Sequence, residues 1–338
     1  MNAPKDLESV VPAASFPEWG AYLRRISRLS RAKAAPPNGR RLLAMGDSWF
    51  NYVPHYDITW WLQAKHGFAC RSVAVIGDLL SHLARPAQWD PSKPVPLGPK
   101  DRGHQLADLA LVLRDELDDD QKKEVSAILI SGGGNDIAGE DSRFEDLLNP
   151  AGSPQPLNLP LLKQRVDVAL RAVLEDVLSA VDELSRLHLG RPVPIFLHGY
   201  AYPVPDGRPG PTTNWLKPAF DKKGYTKLQD GTDIMKTLID RLNAMQIAVV
   251  GSSKLASPVH HVDLRPALSN VLANAAYQDD WQNELHPTIP RGFQRVADLF
   301  ATELASTSAL SLAQPLPYAA PSRSRKSPAA RAPKSSPR

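Results

Sequence analysis

Three short apolar runs of the sequence end in glycine followed by small polar residues. The first run is followed by Gly-Asp-Ser at 46–48, the second by Gly-Asp at 77–78 and the third by Gly-Gly-Asn-Asp at 133–136. A serine hydroxyl can attack a carbonyl carbon, and glycine lets a backbone N–H group approach a ligand closely. An asparagine amide is a neutral donor, which suits an oxyanion that exists only in a transition state. Each motif alone is equally typical of a turn or a helix cap.

A histidine late in the chain is a candidate for the general base that a serine nucleophile needs at neutral pH. His286 precedes a proline and the helix-like segment 292–304, which places it in a loop. Two other kinds of site are disfavoured. The Gly-x-Ser-x-Gly elbow of α/β-hydrolases does not occur, and a dinucleotide-binding Gly-x-Gly-x-x-Gly that starts at Gly132 would end at Ile137.

The apolar runs predict the strands that must position these residues. Short runs that are apolar throughout are typical of a parallel sheet covered on both faces. Between them, apolar residues recur at the three- and four-residue spacing of helices. This alternation predicts an α/β fold, a three-layer α/β/α sandwich around a mostly parallel sheet of about five strands. The predicted strands are 41–46, 71–77, 125–131, 193–198 and a weaker 259–264, and the predicted helices are 58–66, 161–189, one beginning near 230, and 292–304. Residues 247–251 fit either the end of the third helix or a strand.

The polar motifs described above, taken in their order along the chain, resemble the sequence blocks of the SGNH, or GDSL-like, hydrolase superfamily of esterases and lipases. Gly-Asp-Ser at 46–48, Gly77, Gly-x-Asn-Asp at 133–136 and His286-Pro287 match its four blocks, and the resemblance spans residues 41–300. It implies a flavodoxin-like sheet. It also implies the hydrolysis of carboxylic esters, with acyl or acetyl groups, without a cofactor or a metal ion.

The resemblance further implies a role for each site residue. Ser48 would attack the ester carbonyl and form an acyl-enzyme, with His286 as the base. The oxyanion hole would consist of the backbone N–H groups of Ser48 and Gly77 and the side chain of Asn135. Losing one such donor typically lowers turnover by about 10²–10³.

One position departs from the family pattern. The aspartate that the family usually has three residues before the histidine is replaced by Asn283. An amide oxygen can still accept the histidine N–H and fix its tautomer, as in papain-like proteases, but it cannot stabilise the imidazolium with a full charge. We favour Asn283 as a neutral orienter of His286, and the alternatives are Glu284, Asp280 or a Ser–His dyad.

Aromatic residues crowd the segment that follows Ser48. Trp49 and Phe50 are adjacent to the serine, and we predict that they line a substrate pocket, because such pockets are mostly apolar. Trp60 and Trp61 are predicted instead to pack a helix against the sheet.

The composition limits the class of protein. The chain has 338 residues, 42% of them hydrophobic, which is enough for a large core. A single cysteine, Cys70, excludes an internal disulfide and a cysteine-cluster metal site. The six basic residues in 311–338 exceed the net charge of +4 of the whole chain, so the remainder is close to neutral. This argues against nucleic-acid binding by the folded part.

We predict three segments along the chain. Residues 1–36 form an amphipathic segment that packs on the core or contacts a membrane surface peripherally. Residues 37–310 form the SGNH-like catalytic domain, and residues 311–338 form a disordered basic tail rich in Pro, Ser and Ala. No signal peptide or bilayer-spanning run is seen, so we expect a cytoplasmic protein that acts on a small-molecule, lipid or carbohydrate ester.

Two further functions fit the same residues. An acyltransferase would form the same acyl-enzyme and pass the acyl group to another alcohol. A non-catalytic binding module would keep the fold without the activity. Nucleic-acid binding through the basic tail is a third and weaker alternative.

Overall fold

The structure of the protein is a computed structural model that describes residues 39–52, 56–139, 143–210, 214–289 and 291–307. The predicted amphipathic segment 1–36 and the predicted tail 311–338 lie outside the described residues. The division of the chain into three segments therefore stays a prediction.

Five parallel strands form one sheet, in the order β2-β1-β3-β4-β5. Strands β1 and β3 are buried along nearly their whole length, as expected for a sheet covered on both faces. The strands are β1 (Arg41–Met45), β2 (Ala69–Ser72), β3 (Val125–Ser131), β4 (Ile195–His198) and β5 (Val259–Val262). This arrangement confirms the predicted fold class. The strand order reverses between β1 and β3, and ligands of such sheets bind in the crevice beyond the strand ends at that point.

Strand β2 begins two residues earlier and ends sooner than the predicted 71–77. The N–H groups of Val73 and Val75 still donate to the carbonyls of β1 and of the residue after it, at 2.8 and 3.0 Å. The ladder stops because side chains take the remaining groups. Gln105 accepts from the backbone N–H of Gly46 at 2.6 Å, and Asn51 donates to the carbonyl of Ala74 at 2.7 Å.

The helices cover the sheet on both faces. Helix α1 has the predicted bounds, with the Asp57 side chain as its N-cap and Gly67 at φ +74° as its C-cap. The helices are α1 (Ile58–His66), α2 (His104–Leu111), α3 (Asp119–Glu124), α4 (Gly134–Ala138), α5 (Leu159–Leu162), α6 (Arg171–Leu189), α7 (Lys217–Lys222), α8 (Leu228–Ser252) and α9 (Gly292–Ser306). Residues Lys163–Leu170 join α5 to α6 as a π-helical stretch. Residues 247–251 belong to the end of α8 and not to a strand.

The helices fall into two layers. Helices α1 and α9 pack against each other on one face of the sheet, and α2, α6 and α8 form the layer on the other face. The Phe300 ring of α9 lies 6.4 Å from that of Phe196 in β4. Among the described helices, none is both long enough and apolar enough to cross a lipid bilayer.

Candidate active site

Ser48 follows β1 in a turn that is fixed by the two preceding residues. Gly46 has φ +146°, and a Cβ atom there would lie 2.3 Å from the carbonyl oxygen of Ser131 at the end of β3, so only glycine fits. The carboxylate of Asp47 accepts the hydroxyls of Ser131 at 2.6 Å and Tyr200 at 2.5 Å. These bonds tie the ends of neighbouring strands together behind Ser48.

His286 lies in the loop between β5 and α9. A backbone bridge between Trp281 and Pro287 closes this loop into a tight turn. The fold brings the histidine to the serine, and Nε2 of His286 lies 2.7 Å from Oγ of Ser48 across 238 positions of sequence. The two side chains are 6% and 4% exposed.

Asn283 orients the imidazole of His286. Its Oδ1 accepts the Nδ1–H of His286 at 3.0 Å and the backbone N–H groups of Leu285 and His286 at 3.0 and 2.9 Å. Its Nδ2 donates to the phenol oxygen of Tyr52 at 3.0 Å. Because the two backbone N–H groups can only donate, the amide oxygen of Asn283 must face them and the histidine. Nδ1 therefore carries the proton, and the lone pair of Nε2 points to the Ser48 hydroxyl.

The two carboxylates that were alternatives to Asn283 are held by other donors. Asp280 accepts from the backbone N–H of Ser269 at 2.8 Å and pairs with Arg295 at 2.7 Å. Glu284 is fully buried and accepts four backbone N–H groups. Its donors are Gly207, Trp215, Leu216 and Lys217, at 3.1, 2.8, 2.8 and 2.9 Å.

Aromatic rings enclose the imidazole. Tyr52 stacks on His286 with ring centroids 4.3 Å apart, and Trp215 meets it edge-on at 5.5 Å. Burial lowers the pKa of His286 to about 3, so the ring is neutral at pH 7. Burial likewise raises the pKa of Tyr52 to about 12, against a smaller lowering by the hydrogen bond from Asn283. Tyr52 therefore stays a neutral phenol.

Asn135 lies in the first turn of α4, whose N-cap Gly133 has φ +100°. Its Nδ2 donates one proton to the carbonyl of Asp78 at 3.0 Å, and the second proton is left for a ligand. Asn135 lines the same cavity as Ser48 and His286. Gly77, at φ +76°, immediately precedes Asp78 but does not itself line that cavity.

The cavity beside Ser48 is small and mostly apolar. Its volume is about 40 Å³, and Ser48, Asn135 and His286 supply its reactive polar groups. The apolar part of its wall comes mainly from Trp49, Ala138, Ala201, Pro203, Ile239, Trp281 and Leu285.

The two predicted substrate-binding aromatics have different positions. Trp49 lines the cavity, as its neighbour Ser48 does. Phe50 is 1% exposed and packs in the core between His198 and Phe300, with ring centroids 5.2 and 6.1 Å away. The expectation that Phe50 lines the pocket is therefore not met: both rings lie against His198, but only that of Trp49 belongs to a residue of the cavity wall.

Three contacts of the site had no signal in the sequence, although Tyr52 is itself one of the aromatic residues that follow Ser48. Tyr52 reaches Asn283 across 231 positions, and Trp215 comes from a loop between two helices. Gln105 bonds both backbone polar groups of Gly46, at 2.6 and 2.7 Å, from the first turn of α2. No periodicity or motif reports a contact of this kind, and only an alignment of covarying positions would provide a signal.

A second polar cluster lies behind the loop that carries Gly77. Asp78, His82 and His104 are all buried, and one potential ligand atom of each lies within 4.8 Å of the others. Such a set fits a metal ion, which the sequence analysis did not predict.

Comparison with known proteins gives distant structural similarities. No family model and no curated protein matches this chain. A Streptococcus pneumoniae protein described as a candidate platelet activating factor is 15% identical, with a TM-score of 0.42 over 85% of this chain and 95% of that one. A carbohydrate esterase family 2 enzyme with a carbohydrate-binding domain, from Corynascus thermopiles (Myceliophthora fergusii), is 16% identical. Its TM-score is 0.37 over 83% of this chain and 69% of that one. Both similarities are too low to bear on the chemistry of the site.

Proposed function

We propose that this protein is a serine hydrolase that cleaves carboxylic esters through an acyl-enzyme on Ser48. One observation carries the proposal. Oγ of Ser48 lies 2.7 Å from Nε2 of His286, and Asn283 holds the other ring nitrogen as a donor. A hydroxyl, a neutral imidazole in the accepting tautomer and a third group that fixes that tautomer are the parts that nucleophilic serine catalysis needs.

In the first half of the reaction, Oγ of Ser48 attacks the ester carbonyl carbon while Nε2 of His286 takes the hydroxyl proton. The carbonyl oxygen becomes an oxyanion, for which we assign the amide of Asn135 and the backbone N–H of Ser48 as donors, since both residues line the cavity. The backbone N–H of Gly77 is the third predicted donor. The tetrahedral intermediate then expels the alcohol, which takes its proton from His286.

In the second half, a water molecule attacks the acyl-enzyme. His286 accepts a proton from this water, and the intermediate releases the carboxylic acid as the proton returns to Oγ of Ser48. The same donors hold the second oxyanion. The chain therefore needs no cofactor for either half.

Among the residues that the structure describes, no carboxylate contacts the imidazole of His286, so the imidazolium that forms in each half has an amide as its partner. Two features of the structure stabilise the imidazolium instead. The amide oxygen of Asn283 keeps its bond to Nδ1–H, and the face of the Tyr52 ring lies 4.3 Å from the imidazole, where its negative quadrupole favours a cation. A ring face of this kind contributes about 0.5–2 kcal/mol to a nearby cation.

The test is hydrolysis of p-nitrophenyl acetate by the wild type, by Ser48→Ala and by Ser72→Ala. We expect Ser48→Ala to lower kcat by about 10³-fold or more, because the nucleophile is lost. Ser72 lies at the carboxyl end of β2 and bonds the carbonyl of Phe50, so Ser72→Ala controls for loss of a serine from this sheet edge. It should keep most of the activity.

A fluorophosphonate probe gives an independent readout, because it reacts covalently only with activated serines. Wild type and Ser72→Ala should be labelled, with the probe on Ser48 in a peptide digest, and Ser48→Ala should not. The proposal is wrong if the wild type is neither labelled nor active, or if Ser48→Ala hydrolyses the ester as the wild type does.

A further inference from the structure

Three side chains from two turns of the chain meet in the interior behind the Gly77 loop. Asp78 ends this loop, His82 lies in the 3₁₀ turn Leu80–Leu83, and His104 is the first residue of α2. Their side chains are 0%, 10% and 4% exposed. The proposed ester hydrolysis uses none of them.

The polar atoms of this cluster are not satisfied by one another. Oδ1 of Asp78 lies 3.1 Å from Nδ1 of His82 but accepts no hydrogen bond. Nδ1 of His82 is itself an acceptor, because the backbone N–H of Leu79 points to it at 3.2 Å. Two lone pairs that face each other at this distance in the interior repel unless a proton or a metal cation lies between them.

The other carboxylate oxygen is held firmly. Oδ2 of Asp78 lies 2.6 Å from Nε2 of His104 and accepts the amide of Gln105 at 2.5 Å. Gln105 is fully buried and is fixed in turn by both backbone polar groups of Gly46. An amide that orients a carboxylate from behind is typical of the second layer of a metal site.

We propose that Asp78, His82 and His104 bind a divalent transition metal ion of the zinc class. Two imidazoles and one carboxylate are a ligand set that zinc accepts, and water is a common fourth ligand. The ion would lie against Oδ1 of Asp78 and displace the long hydrogen bond from the Leu79 N–H to His82. It would also replace the proton that now lies between Nε2 of His104 and Oδ2 of Asp78, and its bonds would be about 2.0–2.2 Å long.

The ion would cross-link the two ends of a long loop. Residues 84–103, between His82 and His104, contain five prolines and no helix or strand. A cross-link between the two ends of such a loop removes conformational entropy from the unfolded chain. It would also fix Asp78, whose carbonyl accepts the side chain of Asn135. The ion therefore supports the site from behind and takes no part in the proposed acyl transfer.

The test uses the full chain, purified with a cleavable tag that contains no histidine. We expect about one zinc ion per chain by mass spectrometry of the metal content, as for a single site of three protein ligands. Removing it with a chelator should lower the midpoint of thermal unfolding by about 5 °C or more, and zinc should restore it. Cobalt(II), added in place of zinc, should give visible ligand-field bands at one ion per chain.

The variants His82→Gln and His104→Gln separate a metal ion from a hydrogen-bonded cluster. Glutamine keeps a donor and similar bulk but is a poor ligand, so each variant should bind cobalt more than about 100-fold more weakly. His66→Gln is the matched control, because His66 also pairs with an aspartate, at 2.9 Å, but on the surface. It should bind the ion as the wild type does.

Two results would overturn the metal site. One is a wild type that holds almost no metal and whose thermal midpoint neither zinc nor cobalt changes. The other is full metal binding by both glutamine variants. These measurements do not use ester hydrolysis, so the metal site and the proposed function are tested separately.

Discussion

At the scale of single residues, Asn283 sets the electrostatics of the site. In most Ser–His sites a carboxylate accepts the histidine Nδ1–H and favours the charged ring. Here a neutral amide does so, and burial is left to lower the pKa of His286 to about 3. The base is therefore unprotonated at neutral pH and remains unprotonated well into the acid range.

The lowered pKa of His286 sets the direction in which activity changes with pH. The base must be neutral in the free enzyme, so kcat/KM should fall only as the pH approaches the lowered pKa of His286, well below its ordinary value of 6.5. Asn283→Asp adds a negative charge beside Nδ1 and should raise that pKa. The pH below which kcat/KM falls is the acid limb of the profile. We expect this acid limb to move up by about one to three pH units.

The measurement is the pH profile of p-nitrophenyl acetate hydrolysis between about pH 2.5 and 8, which covers the acid limbs of both proteins. Asn274→Asp is the control, because Asn274 is exposed and its left-handed backbone, at φ +53°, suits aspartate equally well. It adds the same charge away from the histidine and should leave the profile unchanged. An acid limb that does not move in Asn283→Asp would contradict the role given to Asn283.

At the scale of elements, Glu284 anchors the loop that precedes α7. It lies next to Asn283 in the sequence but accepts N–H groups from Gly207 and from the three residues Trp215, Leu216 and Lys217. This loop carries the Trp215 ring that covers one edge of His286. The carboxylate therefore positions a wall of the site and does not touch the base.

Glu284→Gln should destabilise the protein without changing the titration of the base. An amide cannot accept all four N–H groups, and breaking a buried charged network of this kind costs about 3–5 kcal/mol. We expect this loss in the free energy of unfolding from urea titration, with the acid limb of kcat/KM at the wild-type pH.

Glu303→Gln is the matched control for this experiment, since Glu303 is exposed on α9. It should leave the free energy of unfolding nearly unchanged. A shift of the acid limb in Glu284→Gln, with little loss of stability, would reassign Glu284 as the partner of His286.

At the scale of the whole molecule, the cavity lies where the strand order reverses, beside the helix layer that contains α8. One wall comes from residues that follow β1 and β3, and another comes from Ile239 on α8. The volume of about 40 Å³ corresponds to about three water molecules, at roughly 10–15 Å³ each on this measure. An acetyl group fits this space, and a longer acyl chain would have to extend out of it through the open side of the cavity.

We therefore expect p-nitrophenyl acetate to be the best substrate of a chain-length series. The value of kcat/KM should fall by about tenfold or more from acetate to butyrate, because each added methylene needs room that the walls do not give. Ile239→Ala removes part of one wall and should raise the ratio of butyrate to acetate hydrolysis by a similar factor.

Ile234→Ala is the control for this change. Ile234 lies on the same helix and is as buried as Ile239, but it does not line the cavity. Both substitutions destabilise the core, and only Ile239→Ala should alter the preference for acyl length. An octanoate hydrolysed as fast as the acetate by the wild type would show that the substrate binds elsewhere.

The sequence by itself determined the features that depend on short stretches of chain. The apolar runs of β1 and β3 and the caps of α1 at Asp57 and Gly67 could be predicted because strand burial and helix capping act within a few residues. Alternation of strands and helices was enough for the fold class, since parallel strands need covered crossovers. Ser48 and Asn135 could be placed at one edge of the sheet, because each follows a parallel strand and the carboxyl ends of parallel strands meet at the same edge.

Only the tertiary structure decided between neighbouring loop residues. Asn283, Glu284 and Asp280 lie within four positions, and no periodicity says which one faces His286. The end of β2 likewise depended on Gln105, which takes the N–H of Gly46 from 59 positions away. Contacts of this kind join segments that are distant in the chain, and local propensity carries no information about them. For that reason the same sequence predicted a serine and a base but not the contact of Tyr52 with Asn283, the bonds of Glu284 to a distant loop, or the meeting of His82 with His104.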